Sequence, residues 1–247
     1  MKKIVKLSFW VIALAVVVIG LYVYPIITYR ARTNYQNYAI YHNHKLDTNL
    51  LKRLDEVTLL VNKSELYDSA FQLKICLNDG AFYPKMVKWI QGEAFAWGFH
   101  NKVVLNGTAN FGENAINLNG YNWNAKALLA HEAIHCYQYH KLGFWKSNPV
   151  ATIQPWIWEG YAEYIAQKDL KRASLKENIN RLLNHDGSWS IEVADGTFTS
   201  FEYFKNYLLV QYCIEQKQMT FADLVAQNQP FEVLDKELGD WYKAKIK

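Results

Sequence analysis

The sequence predicts an α+β domain behind one apolar N-terminal span, and three observations carry that prediction. Leu7 to Thr28 is almost wholly apolar, with no charged residue between Lys6 and Arg30. Segments with a period of two cluster between Phe71 and Gly120, the alternation of half-buried strands. From about Trp123 onward apolar residues recur at intervals of three and four, as on one face of a helix. Strands gathered ahead of a helical half give a small, mostly antiparallel sheet rather than alternating β-α units.

The apolar run matches the ~20 residues needed to cross a hydrocarbon core. No small-residue cleavage site follows it, only Tyr24-Pro25-Ile26-Ile27-Thr28-Tyr29-Arg30, so an uncleaved anchor is expected, with a cleaved signal peptide as the alternative. Lys2, Lys3 and Lys6 outweigh Arg30 and Arg32, which places the N-terminus in the cytoplasm and the rest of the chain outside it. The expected division is a cytoplasmic terminus at 1–6, an anchor at 7–28, a connector at 29–45 and one domain at 46–247. In that polar-aromatic connector, His42 and His44 read as a solvated pair.

A chain of 247 residues, 51% of them apolar, can bury a substantial core. The formal charge of +4 is spread out, and no cluster of bases interleaved with aromatics points to nucleic acid. Cys76, Cys136 and Cys213 are too few and too scattered for a disulfide framework. Cys136 is read as a small core residue.

Asp47 to Tyr67 places apolar residues at 46, 50, 54, 57 and 61, one helical stripe. Phe71 to Leu77 alternates as a strand ending at Asn78-Asp79-Gly80, and a short helix is expected around Pro84 to Ile90. Ala94 to Phe99 and Lys102 to Asn106 read as strands joined by a tight turn at His100-Asn101, and Ala115 to Gly120 alternates again. A helix from about Trp123 to Lys141 is capped by Asn122 or Asn124 and stopped by Gly143. Pro155 opens a second helix, and residues 167–183 form a charged one. His185 begins a loop, Ser200 to Gln216 is helical, and two short helices split at Pro230 end the chain.

The helix from Trp123 contains Ala130-His131-Glu132-Ala133-Ile134-His135. Imidazoles four residues apart lie on one face about one turn apart, close enough to hold one ion. In a chain of this composition such an H-E-x-x-H match arises by chance about 0.01 times, so its surroundings must decide. Leu129, Ala133, Cys136 and Tyr137 are also apolar or aromatic, and a helix buried on several sides requires partners for its histidines. Gln138 and Lys141 break the metzincin continuation. His140 sits about 140° around the helix from His135 and is not expected to be a ligand.

Downstream stands Pro155-Trp156-Ile157-Trp158-Glu159-Gly160-Tyr161-Ala162-Glu163. With these two motifs the sequence resembles the gluzincin metallopeptidases, zincin-like enzymes in which H-E-x-x-H is followed by E-G-x-A-E. The resemblance covers about residues 70–247, and its specific part is confined to the two motifs. It implies a Zn2+ ion on His131, His135 and Glu159, with Glu163 hydrogen-bonded to His131. It also implies Glu132 as general base and a tyrosine from the later helix, best matched by Tyr203 and next by Tyr207, assisting at the substrate carbonyl. The expected activity is hydrolysis of a peptide or protein substrate lying extended against an edge strand, for which Ala115 to Asn119 is the candidate. The alternative is a catalytically inactive, zinc-stabilised, membrane-tethered interaction domain.

Overall fold

A computed structural model of the chain describes residues 25–168, 173–193 and 198–246, with Gly20 ahead of them. The expected anchor therefore lies outside the described residues except for Gly20 and its last four. Among the described residues, no helix is long and apolar enough to cross a membrane.

The class is α+β, as the clustering of strands ahead of helices implies. The main sheet has five strands in the order β1-β2-β3-β5-β4: β1 (Ala31–Tyr35), β2 (Tyr38–His42), β3 (Leu73–Cys76), β4 (Ala96–Phe99) and β5 (Lys102–Leu105). Its outer pairs are antiparallel but β2–β3 and β3–β5 are parallel, which corrects the mostly antiparallel sheet expected. The return from β2 to the start of β3 is made by α1 (Thr48–Val61) as a crossover, and that from β3 to β5 by β4, which runs antiparallel to β5. Asp47 caps α1 by accepting from the Asn49 N–H.

The connector expected at 29–45 is instead largely the β1–β2 hairpin. Its turn is only Gln36-Asn37, with Tyr35 paired to Tyr38 and Gln36 in the left-handed region at φ 49°. All of β2 is buried. His42, expected to be solvated, is covered within it, bonded through Nε2 to the Thr33 hydroxyl at 2.9 Å and through Nδ1 to the His44 carbonyl at 2.7 Å.

The period of two sends side chains to both faces of this sheet. Tyr38, Ile40, Leu73, Ile75, Val103 and Leu105 join the larger core, with α1 and the motif helix. Ala39, Tyr41, Cys76, Trp97, Phe99 and Val104 face the other way, under α2 (Phe82–Gln91), with Tyr83, Met86 and Val87. Each aliphatic side chain so buried contributes about 1.5–3 kcal/mol. A second sheet, β6 (Thr108–Asn110), β7 (Ala115–Leu118) and β8 (Tyr121–Asn124), leads into the motif helix.

The helical half starts with α3 (Ala125–Leu142). Of the two candidate caps the structure uses Asn124, which accepts from the Ala127 N–H, and Gly143 ends the helix at φ 76°. Asn114 steadies this start, donating to Asn124 and accepting from the Lys126 N–H. Cys136 is fully buried, as expected of a small core residue.

Then come α4 (Pro155–Ala166), α5 (Leu175–Leu183), a short hairpin of β9 (Ser190–Glu192) with β10 (Phe198–Ser200), α6 (Phe201–Glu215), α7 (Phe221–Gln227) and α8 (Phe231–Ile246). The charged helix is thus shorter than expected, beginning only after a Ser174–Glu177 capping box. α4 packs between α3 and α6. Gly160 makes this closeness possible, since a Cβ there would lie 2.4 Å from the Asn206 carbonyl oxygen on α6.

Candidate metal centre

α3 presents His131 and His135 on one face, and α4, packed against it, brings Glu159 opposite. The two imidazole Nε2 atoms are 3.1 Å apart, and Glu159 Oε2 is 3.3 Å from each. Among the described residues this trio is the one group of His, Cys, Asp or Glu side chains gathered closely enough to share an ion.

The far nitrogens explain the aim of the near ones. His131 Nδ1 lies 3.0 Å from Glu163 Oε2, and His135 Nδ1 lies 2.8 Å from Gln138 Oε1. Gln138 donates its Nε2–H to the Trp158 carbonyl at 3.0 Å, so its oxygen is the atom turned to His135. Both partners are acceptors, which puts the imidazole proton on Nδ1 and leaves a lone pair on each Nε2. Two imidazole nitrogens and a carboxylate oxygen therefore converge on one point, an arrangement that could hold a metal ion. Ligand atoms about 2.0–2.1 Å from a tetrahedral ion stand about 3.3–3.4 Å apart, so the donors fit a zinc-sized ion as they are. The outer partners are held in turn, Glu163 Oε1 accepting from Gln167 Nε2 at 3.0 Å.

Burial raises Glu159, but the imidazoles of His135 and His131 outweigh it and hold the carboxyl well below the usual range. Glu163 behaves likewise: burial lifts it and the His131 contact brings it below its ordinary value. His131 is pulled down by burial yet raised well above its ordinary value by the carboxylates of Glu159 and Glu163. This is the same excess of negative charge that a bound cation relieves. Glu132 is not among the three converging residues. Burial raises its carboxyl, with the His131 and His135 charges and a hydrogen bond from the Gly98 backbone acting against that rise.

Each histidine is backed by an aromatic ring. Trp158 stacks on His135 with ring centres 5.6 Å apart, and Tyr203, from the first turn of α6, stacks on His131 at 5.5 Å. Burial and the neighbouring carboxylates, Glu159 first, raise the Tyr203 hydroxyl well above its ordinary pKa. Two cavities meet at His131, Glu132 and Tyr203, one of ≈ 330 Å³ and one of ≈ 700 Å³. Tyr207, the second candidate, is buried away from them and accepts from Asn178 Nδ2 at 2.9 Å. His140 pairs with Asp68 at 3.0 Å, outside the trio.

The roof of the cleft is β4, an edge strand of the main sheet. Its two-residue turn makes Phe99–Lys102 the closing hydrogen-bonded pair, so the backbone N–H and C=O of Ala96 and Gly98 point to the open edge. Ala96 and Gly98 line the larger cavity together with Glu132. A Cβ on Gly98 would stand 2.2 Å from the Glu132 carbonyl oxygen, and only glycine lets the strand lie this close to α3. The edge strand expected at Ala115 to Asn119 is corrected: β7 is the middle strand of its sheet, paired on both sides by β6 and β8. No backbone edge is free there to pair with a substrate.

Sequence reading gave no role to Gln138 or Gly98. Gln138 shares the stripe of His131 and His135, and its complete burial is the signal that an interior helix position implies. Replacing it by leucine is expected to weaken zinc affinity about 10–100-fold, as loss of a partner that orients a ligand does. Chelator competition measures this, and unchanged affinity would remove Gln138 from the support of His135.

Fold and site together define an α+β domain with a candidate His-His-Glu metal centre in a cleft roofed by an edge strand. No protein-family model matches the sequence, and no curated protein matches it.

Proposed function

We propose that the chain is a membrane-anchored zinc peptidase with its cleft between β4 and α3, anchored by residues 7–28 and with the domain on the extracytoplasmic side. One observation carries the catalytic reading: His131, His135 and Glu159 converge on a single point, with Glu132 beside them lining both cavities. Zinc held by these three residues supplies a Lewis acid that activates water and polarises a carbonyl.

The remaining work falls to the chain's own groups. The open edge of β4 pairs with an extended peptide through Ala96 and the Gly98 carbonyl, the Gly98 N–H being held by Glu132, fixing the scissile bond over α3. The Glu132 carboxylate takes the proton of the attacking water and passes it to the leaving amine. The Tyr203 hydroxyl donates toward the oxyanion as charge develops there. Glu163 and Gln138 hold the two imidazoles by their Nδ1 atoms, and Trp158 keeps water from one side of His135.

Turnover of an unfolded casein-type substrate by the full chain tests this reading. Hydrolysis is expected, stopped by a chelator and restored by added zinc. Stoichiometric zinc without turnover would make the centre structural and the domain a scaffold.

A further inference from the structure

We infer that the outer face of α2 and the 3-10 turn Phe144–Lys146 lies on an anionic bilayer surface, so that the wider end of the cleft opens at the membrane. The inference rests on residues 7–28 entering the bilayer, as proposed above, and goes beyond it by assigning which side of the domain meets the lipid.

The chain leaves its apolar run already fastened to α2. The 3-10 helix Pro25–Thr28 packs against α2. The next residue, Tyr29, is buried, donates to the Leu77 carbonyl at 2.9 Å and lies 6.3 Å, ring to ring, from Tyr83 of α2. A bilayer surface at residue 28 is thus within about one helix diameter of α2, about 10 Å.

The composition of this face fits such a surface. Phe82, Lys85 and Trp89 form one exposed stripe on α2, with Trp89 91% exposed and Ile90 beside it. Phe144 and Trp145, the latter 78% exposed, stand in the 3-10 turn. Ile90 and Phe144 line the same ≈ 700 Å³ cavity, so both aromatic groups border its mouth. Exposed tryptophans interleaved with lysines mark interfacial surfaces, where the indole sits at headgroup level. Lys88 is paired with Glu93 at 2.6 Å. Lys85 and Lys146 are in no ion pair among the described residues, which leaves them for lipid phosphates.

The test uses the full chain in vesicles of phosphatidylcholine with a minor fraction of phosphatidylglycerol. Trp89→Cys, Trp145→Cys and, as a reference on exposed α5, Lys176→Cys are each labelled with an environment-sensitive fluorophore, the three native cysteines being buried. The chain is expected to float with the vesicles, and a lipid-borne quencher is expected to act several-fold more strongly at 89 and 145 than at 176. Adding Lys85→Glu and Lys146→Glu is expected to reduce that difference.

Flotation with equal quenching at all three positions would overturn the docking face while leaving the anchor in place. Failure to float would overturn the anchor and the face together. Shielding at 89 and 145 that appears only on concentrating the chain in lipid-free detergent would assign the face to contacts between copies, and would also overturn it.

Discussion

Glu132→Gln is expected to reduce kcat by roughly 10²–10⁴-fold, the usual contribution of a general base, while zinc content stays at the wild-type level. Glutamine keeps the size of the side chain and an oxygen able to accept from the Gly98 backbone, but it cannot take a proton from water. The atoms gathered closely enough to hold an ion belong to His131, His135 and Glu159, so zinc content is expected to be unaffected by the change. Steady-state kinetics beside elemental analysis separates the possibilities. Full activity would refute the mechanism, and lost zinc would make Glu132 a ligand rather than a base.

Gly98→Ala is expected to have the next largest effect. Its new Cβ would stand 2.2 Å from the Glu132 carbonyl oxygen, with the Glu132 Cα and carbonyl carbon within 2.9 Å. All of these are backbone atoms of a buried helix, so the strand has to give way by about 1 Å to reach normal contact. A displacement of that size in a positioning element costs about 10²-fold in rate, and overpacking adds about 1–3 kcal/mol of destabilisation. A lowered kcat/KM with zinc retained, together with a lower Tm, is the expected pattern. Gly239→Ala, which lies inside α8 and meets nothing within 4 Å, is the control: kcat/KM should be unchanged and Tm should not fall, since alanine favours a helix interior over glycine by about 1 kcal/mol. Equal behaviour of the two variants would remove β4 from the cleft.

How far the sequence revealed the fold depended on which physical signal each segment carried. α3 and α4 were legible because their start and stop residues are chemical: the Asn124 side chain as cap, Gly143 at positive φ, Pro155 in the first turn. The hairpin of β4 and β5 was legible from two apolar runs around His100-Asn101. The β1–β2 hairpin was not. β2 is buried on both faces and so shows no polar alternation, and its turn puts Gln36 at positive φ, where asparagine or glycine would have been the cue. The parallel pairings were not legible because a crossover through α1 looks, in sequence, like any strand followed by a helix, and because nothing in the β4–β5 hairpin says which of its strands lies beside β3.

The same division holds at the site. The two motifs suggested a histidine pair and, through resemblance, Glu159 and Glu163, and the structure joins all four at His131, which lies within hydrogen-bonding range of His135, Glu159 and Glu163. Gln138 was visible only as a polar residue on the histidine stripe, since its value lies in a bond to the Trp158 carbonyl on another helix. Gly98 carried no signal at all, because what it permits is an approach between β4 and Glu132, 34 residues apart in the chain. The choice between Ala115 to Asn119 and β4 as edge strand depends on sheet order, which alternation alone does not encode.

Zinc quantitation on the purified full chain, wild type beside Glu159→Gln, tests the metal centre most directly. About one zinc per wild-type chain is expected, with the variant losing most of it, because an amide oxygen replaces the carboxylate that stands 3.3 Å from both imidazoles. A wild-type chain that holds no zinc, or a variant that holds as much as the wild type, would contradict the assignment of His131, His135 and Glu159 as ligands.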